Sequence, residues 1–133
     1  MTFPVRHISQ TIDRDPAIVA EFAGTYENLP RWAAGLSSGV RQHGGRWRTD
    51  SPMGEVEVVF TAPVELGILD HDVVFPDGTI VQNSLRVLRN ADGAEVVFTL
   101  FQYPGVSDEA FEADATAVAA DLARLRELLE GDV

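Results

Sequence analysis

The C-terminal stretch carries the clearest pattern of hydrophobic and polar positions in the chain. Between Ser107 and Gly131, apolar residues recur at alternating steps of four and three, which places them on one stripe of an α-helix. The stripe consists of Phe111, Ala115, Val118, Leu122, Leu125 and Leu129. Ser107 can cap the first turn, and Gly131 can end the helix. An amphipathic helix of this length, about 34 Å, needs a surface that covers its stripe.

The N-terminal part of the chain predicts one strand followed by two short helices. Residues 3–12 are rich in strand-forming residues, so we predict a first strand there. Asp15 can cap a helix that ends at Gly24. The segment 26–34 predicts a second, shorter helix, because Pro30 is tolerated in a first helical turn.

Turn-forming residues divide the middle of the chain at the spacing of an antiparallel meander. The turns fall at about 44–45, 51–54, 76–78 and 90–93. The strands between and beside them are predicted at about 37–43, 46–50, 55–62, 67–75, 79–89 and 94–103. Val56, Val58 and Phe60 alternate with more polar positions, which is typical of a sheet that is covered on one side. We take the long helix to be that cover.

The resulting order of elements resembles that of the START-like, or helix-grip, superfamily, also known as SRPBCC, over essentially the whole chain. The residues that carry this resemblance are Ile12-Asp13 before Pro16-Ala17 and Val19, the run Asn28-Leu29-Pro30-Arg31-Trp32, Gly54, and the terminal helix. Three further runs resemble the polyketide cyclase/dehydratase-like subgroup, namely Gly67-Ile68-Leu69-Asp70-His71, Phe98-Thr99-Leu100-Phe101 and Pro104-Gly105.

The resemblance implies an α+β architecture in one helix-grip domain over residues 1–133. In it, a seven-stranded curved antiparallel sheet wraps around the long C-terminal helix, and two short helices follow the first strand. A cavity between the sheet and the helix usually holds an apolar small molecule in this superfamily. The resemblance also places the two short helices near the entrance of that cavity.

Composition and charge exclude several classes of function. Cysteine is absent, which removes disulfides, thiol nucleophiles and thiolate metal sites. The net charge of −11, with ten scattered arginines as the only cations, argues against a nucleic-acid partner. No apolar run reaches the roughly 20 residues of a membrane span, and the N-terminus does not have the pattern of a secretory signal. We therefore expect a cytoplasmic protein without a membrane span.

His71 is the first candidate for a functional side chain. On a strand over residues 67–75 it shares one face with Leu69 and Val73, whereas Asp70 and Asp72 point to the other face. The two aspartates therefore cannot orient the imidazole in a regular strand. A histidine on an apolar strand face is either a hydrogen-bonding group in a pocket or a satisfied core residue, and the core role is the more common.

Two further strands offer polar candidates. Arg86 and Gln82 share one phase of the strand 79–89 and could bind a carboxylate or carbonyl group if that phase faces inward. If it faces outward, Arg86 is a solvated partner of an acid such as Glu95 or Asp72. Gln102 is in phase with apolar residues of the last strand, so it is a further inward polar candidate, with a role at the edge of the core equally open.

Apolar and aromatic residues complete the predicted ligand site. Through the resemblance, Trp32 and Tyr26 on the short helices are placed near the mouth of the cavity. The remaining predicted lining residues are Leu69, Val73, Phe60, Phe98, Phe111, Ala115 and Val118. The three histidines lack the paired spacing of metal ligands, and no phosphate-binding or nucleophile motif is present, so we predict no metal and no cofactor.

The sequence thus favours a protein that binds an apolar or aromatic small molecule, lipid-like or polyketide-like, in a cavity between sheet and helix. Two alternatives stay open. One is a cyclase or dehydratase in which His71 or Arg86 moves or stabilises charge. The other is a protein-interaction module like the Hsp90-activator branch of the superfamily, which predicts an exposed apolar patch. A homodimer also stays open.

Overall fold

The computed structural model describes residues 1–131, and its elements follow the predicted order. The strands are β1 (Val5–Ile12), β2 (Arg41–His43), β3 (Arg46–Ser51), β4 (Gly54–Phe60), β5 (His71–Val74), β6 (Ile80–Asn90) and β7 (Gly93–Phe101). The α-helices are α1 (Pro16–Ala23), α2 (Leu29–Trp32) and α3 (Asp108–Glu130). Single 3₁₀ turns lie at Tyr26–Asn28, Ala34–Leu36 and Val64–Leu66.

The seven strands form one antiparallel sheet in the order β1-β7-β6-β5-β4-β3-β2. The sheet curves around α3, which packs against β1, β7 and α2. In the register of the sheet, Ile8 of β1 lies opposite Phe98 of β7, which lies opposite Leu85 of β6. These three side chains therefore share the inner face, where the core is. The predicted helix-grip fold is confirmed.

Local signals at the helix ends behave as predicted. The Ser107 hydroxyl accepts a hydrogen bond from the Ala110 N–H at the start of α3, and the Gly131 N–H donates to the Glu127 carbonyl at its end. In α1, the Asp15 carboxylate caps the helix by accepting from the Ala17 N–H. Five of the six stripe residues of α3 are buried, and Val118 is half-buried.

The segment before β5 departs from the predicted strand. Gly67 ends a 3₁₀ turn in the left-handed region, with φ of 79°, so the chain cannot continue as a regular strand from there. Residues 67–70 still follow β6, because Leu69 and Gly67 each form one backbone hydrogen bond with it. A Cβ on Gly67 would lie 2.5 Å from the Val87 carbonyl oxygen, so only glycine permits this close approach.

The first meander strand is also shorter than predicted. Residues 37–43 were expected to form a strand, but only Arg41–His43 do so. The preceding residues belong to the turn after Ala34–Leu36, where Gly39 has φ of 101°. This turn lets the chain pass from the helices to the edge of the sheet.

The central residue of the α3 stripe tests this architecture. We expect Leu122→Asp to lower the free energy of unfolding by about 3 kcal/mol or more, because Leu122 is 1% exposed and a charge there has no partner in the core. Chemical denaturation followed by circular dichroism measures this loss. The matched control is Ala120→Asp on the exposed side of α3, which should cost less than about 1 kcal/mol. Equal stability of the two variants would contradict the packing of α3.

Candidate functional site

A cavity of about 80 Å³ lies between the inner face of the sheet and α3, and the α2 segment closes it. Most of its surface is apolar, and two side chains with titratable groups, His71 and Asp121, line it. The lining residues are Leu29, Trp32, Ala33, Leu36, Val58, Phe60, His71, Leu85, Phe98, Val118, Asp121 and Leu122. Five of these, namely His71, Trp32, Phe60, Phe98 and Val118, are predicted ligand residues that the fold brings together.

His71 lines this cavity and also a further pocket beside Asp70 and Asp72, and one of its ring nitrogens is free. Its Nδ1 lies 2.9 Å from the Leu69 carbonyl oxygen, which can only accept, so Nδ1 carries the proton. Burial lowers the pKa of His71, although the Leu69 carbonyl and the charge of Asp70 oppose that effect. The imidazole is therefore neutral at neutral pH. Its Nε2 has no hydrogen-bond partner among residues 1–131, so it is available as an acceptor.

An aromatic cluster supports the wall on which His71 lies. Phe60 is opposite His71 in the ladder between β4 and β5, and the two ring centroids are 5.8 Å apart. Behind Phe60, the Tyr26 hydroxyl accepts a hydrogen bond from the Phe60 backbone N–H, and the Tyr26 ring stacks on Trp47 with centroids 5.1 Å apart. Tyr26 thus holds the wall in place and does not line the cavity, contrary to the prediction.

Trp32 and Asp121 contribute the other polar groups of the cavity. Trp32 is 7% exposed, and its indole N–H has no acceptor in the described chain. The Asp121 carboxylate on α3 accepts a hydrogen bond from the Ala34 N–H at 3.1 Å. Burial raises the pKa of Asp121, against a smaller opposite effect of that hydrogen bond. Buried polar groups normally have partners, so an indole N–H buried without one in the wall of this cavity is an exception.

An outer groove of about 450 Å³ adjoins the cavity. Phe98, Val118 and Asp121 line both spaces, so these three side chains form a partition between them. The groove runs between the N-terminal half of α3 and the ends of β6 and β7. Its other lining residues are Gly35, Val81, Gln82, Asn83, Thr99, Leu100, Phe101, Tyr103, Val106, Asp114 and Ala117.

The register resolves which face of β6 is turned toward the cavity. Leu85 lies opposite Phe98 on the inner face, so its neighbour Arg86 lies on the outer face. There the Arg86 guanidinium forms a bidentate ion pair with Asp70, with Nε–Oδ1 of 2.9 Å and Nη2–Oδ2 of 2.7 Å. The role of Arg86 as a cavity ligand is therefore corrected. The alternative prediction, in which Arg86 faces outward and pairs with an acid, has the correct face. The acid is Asp70, however, and not Glu95 or Asp72.

The remaining predicted polar residues lie outside the inner cavity. Gln82 shares the outer phase of β6 with Arg86, and it borders the open spaces beside Tyr103 and a further pocket beside Asp72. The Gln102 side-chain amide donates to the Val106 carbonyl and to the Asp108 carboxylate, both at 2.9 Å. Gln102 thus fixes the loop that precedes α3, which is the edge role that the sequence left open.

Several predicted apolar residues also lie away from the cavity. Leu69 is fully buried in the core, and Val73 lies on the inner face opposite Val81 and Val58. Phe111 and Ala115 are buried on α3 at 7% and 4% exposure, but neither lines the cavity. The cavity thus lies nearer the middle of α3 than predicted, around Val118 and Leu122.

Sequence reasoning missed the carboxylate that matters most here. Asp121 was not among the predicted site residues, although it follows Val118 by three residues and Asp114 by seven. Residues at this spacing share one side of a helix, so Asp114, Val118 and Asp121 line one wall of the groove together. The signal available in the sequence was the position of Asp114 and Asp121, four residues before and three residues after Val118 of the apolar stripe.

This arrangement has defined chemical capacities. The His71 Nε2 can accept a hydrogen bond or a proton, the Trp32 N–H can donate one, and the Asp121 carboxyl can accept or hold a proton. Residues 1–131 contain no group of three or more potential metal ligands. Across the same residues, no helix combines the length and the apolar character needed to cross a membrane.

Comparisons with known proteins agree on the fold. No protein-family model matches the sequence, and a search of curated proteins finds no significant match. The Aha1 dimer from Colwellia psychrerythraea superposes with a TM-score of 0.73 at 16% identity over 96% of both chains. Ara h 8.0201 superposes with a TM-score of 0.67 at 12% identity over 97% of this chain and 99% of the other.

A third similar structure is DynU16, a protein from the dynemicin biosynthetic locus, with a TM-score of 0.68 and 16% identity. The match covers 95% of this chain and 47% of DynU16, so this chain corresponds to about half of that protein. All three are members of the helix-grip, or SRPBCC, superfamily. Because the sequence identities are only 12–16%, these three structures establish the fold of this chain and nothing finer. The predicted resemblance is confirmed at the level of the fold.

The buried imidazole gives the folded protein a specific pH response. The pKa of His71 is below its ordinary value of about 6.5 in the folded state, so the unfolded chain takes up the proton first as pH falls. The free energy of unfolding therefore decreases as the pH falls below about 6.5, because protonation of His71 favours the unfolded chain. We expect His71→Gln to lose less stability than the wild type between about pH 7.5 and 5.5.

The measurement is urea denaturation at several pH values in that interval. His43→Gln, which changes an exposed histidine of β2, is the matched control and should follow the wild-type slope. Parallel curves for the wild type and His71→Gln would contradict a buried neutral imidazole.

Proposed function

We propose that this protein binds a small molecule with an apolar or aromatic part, which enters the inner cavity while the remainder occupies the outer groove. The observation that carries the proposal is the apolar cavity between sheet and α3, which His71 and Asp121 line and in whose wall the Trp32 N–H is buried without a hydrogen-bond partner. A buried indole N–H normally has an acceptor, so its lack of one beside an apolar cavity supports a ligand-holding role.

The two spaces suit different parts of one ligand. The inner cavity, at about 80 Å³, is smaller than the several hundred Å³ of usual ligand pockets, so it accommodates only one ring or a short alkyl group. The outer groove of about 450 Å³ brings the total into the usual range. Because Phe98 and Val118 border both spaces, a ligand that spans them would contact both side chains.

The driving force would be burial of apolar surface, at about 25 cal/mol for each Å² removed from water. The polar groups would then fix the orientation of the ligand. A hydroxyl or carbonyl group on the ligand could accept from the Trp32 N–H, and a hydroxyl could donate to the His71 Nε2. Superfamily members of related architecture support a ligand-holding role of this kind, and DynU16 comes from a biosynthetic locus.

Tryptophan fluorescence tests the proposal directly. The chain has two tryptophans, and only Trp32 lines the cavity. In a Trp47→Phe background, saturating ligand should change the emission of Trp32, because the indole environment changes when the cavity fills. The panel comprises aromatic polyketides, fatty acids, sterols, and small neutral aromatics such as naphthalenemethanol. No saturable change with any of these compounds would overturn the proposal.

A larger side chain at Val118, which lines both the cavity and the groove, gives a second test by mutation. We expect Val118→Phe to weaken binding at least about ten-fold, because the added ring occupies space that both compartments share. Ala119→Phe adds the same ring at the next, exposed position of α3 and should bind as the wild type does. Isothermal titration calorimetry measures both affinities. Equal weakening by the two variants would place the ligand elsewhere.

A further inference from the structure

The charges around the candidate site are of one sign. The inner cavity, the outer groove and the extension of that groove beside Tyr103 are lined by three carboxylates, Asp72, Asp114 and Asp121. No arginine lines any of these three spaces, and all ten arginines lie within the described residues 1–131. Within this region, an anionic ligand would meet acids and find no cation to bind.

The arginines are occupied elsewhere. Seven of them pair with acids, namely Arg6, Arg41, Arg46, Arg48, Arg86, Arg124 and Arg126. Arg14 and Arg89 donate to backbone carbonyls, and Arg31 lies over the Phe22 ring. By contrast, none of the three carboxylates beside the cavity and groove forms an ion pair with an arginine.

Asp121 occupies the most informative position of the three. It lies at the partition between cavity and groove, and its side chain is partly buried beside apolar residues. Its described partner is a single backbone N–H, that of Ala34, which binds one of the two carboxylate oxygens. A half-buried carboxylate without a counterion is costly, and a cation placed beside it would remove that cost.

We propose that the ligand is a protonated amine, with its ammonium group beside Asp121 at the partition and its apolar or aromatic part in the inner cavity. This inference rests on the proposed function, because it assigns a charge to the ligand of the same cavity. Trp32, which is 7% exposed, lines the same cavity, and its buried indole N–H is a second polar group there without a partner. An apolar acid, such as a fatty acid, would instead bring its carboxylate toward Asp114 and Asp121.

The test compares ligands that share one aromatic part and differ in charge. The probes are phenethylamine, phenethyl alcohol and phenylacetate, together with the amine, alcohol and carboxylate of the naphthylmethyl series. Affinities are measured by isothermal titration calorimetry at about pH 8, where aliphatic amines are protonated and carboxylates are ionised. We expect each amine to bind at least about ten-fold more tightly than its matched alcohol, and the carboxylate to bind most weakly.

The variant Asp121→Asn tests the effect of the Asp121 charge separately from its hydrogen bond with Ala34. An asparagine Oδ1 can still accept from the Ala34 N–H, so the helix contact is kept while the negative charge is removed. In this variant we expect the preference for amine over alcohol to fall to about two-fold or less, with alcohol binding unchanged. Asp92→Asn is the matched control, since it removes the same charge from an exposed turn between β6 and β7.

The outcomes distinguish this inference from the function on which it rests. Saturable binding of alcohols without a preference for amines would overturn the inference and leave cavity binding in place. An amine preference that persists in Asp121→Asn would also overturn it, because the charge would then not come from Asp121. No saturable binding by any probe of either series would overturn both proposals for ligands of this size.

Discussion

Burial of the apolar stripe of α3 against the inner face of the sheet is the interaction on which the rest of the structure depends. Leu122, Leu125 and Leu129 join one core cluster with residues of β1, β6 and β7, and each is at most 5% exposed. Full burial of one such side chain contributes about 1.5–3 kcal/mol. The same packing leaves room beside Val118, which is smaller than its leucine neighbours and only half-buried. The cavity is therefore a local gap in an otherwise closely packed interface between α3 and the sheet.

Much of the fold could be predicted because its signals are local or periodic. The spacing of the α3 stripe, the Ser107 and Asp15 caps and the order of the turns all lie within short stretches of sequence. The prediction was wrong in detail at residues 67–70, where the left-handed conformation of Gly67 and its close approach to Val87 override strand-like alternation. Such a contact joins residues 20 positions apart, and periodicity carries no information about it.

The candidate site could be predicted only in part, for a related physical reason. Alternation along β5 placed His71 on an apolar face, because that pattern depends on one strand alone. Alternation along β6 could not decide whether Arg86 or Leu85 faces inward, since only the pairing with β7 fixes that choice. Asp121 was missed because a polar residue beside a helical stripe normally faces water. Its burial depends on the segment of Ala34, which approaches α3 from a distant part of the chain.

The partition between cavity and groove has a consequence for how such a protein could change over time. Among residues 1–131, Phe98, Val118 and Asp121 line both compartments, and none of them is among the fully buried core residues. In the proposed site, a ligand that spans both compartments would contact these three side chains, of which Phe98 and Val118 also pack against the core. A single substitution at one of these positions would change the shape or the charge of the proposed site, while the buried leucines of α3 stay in place.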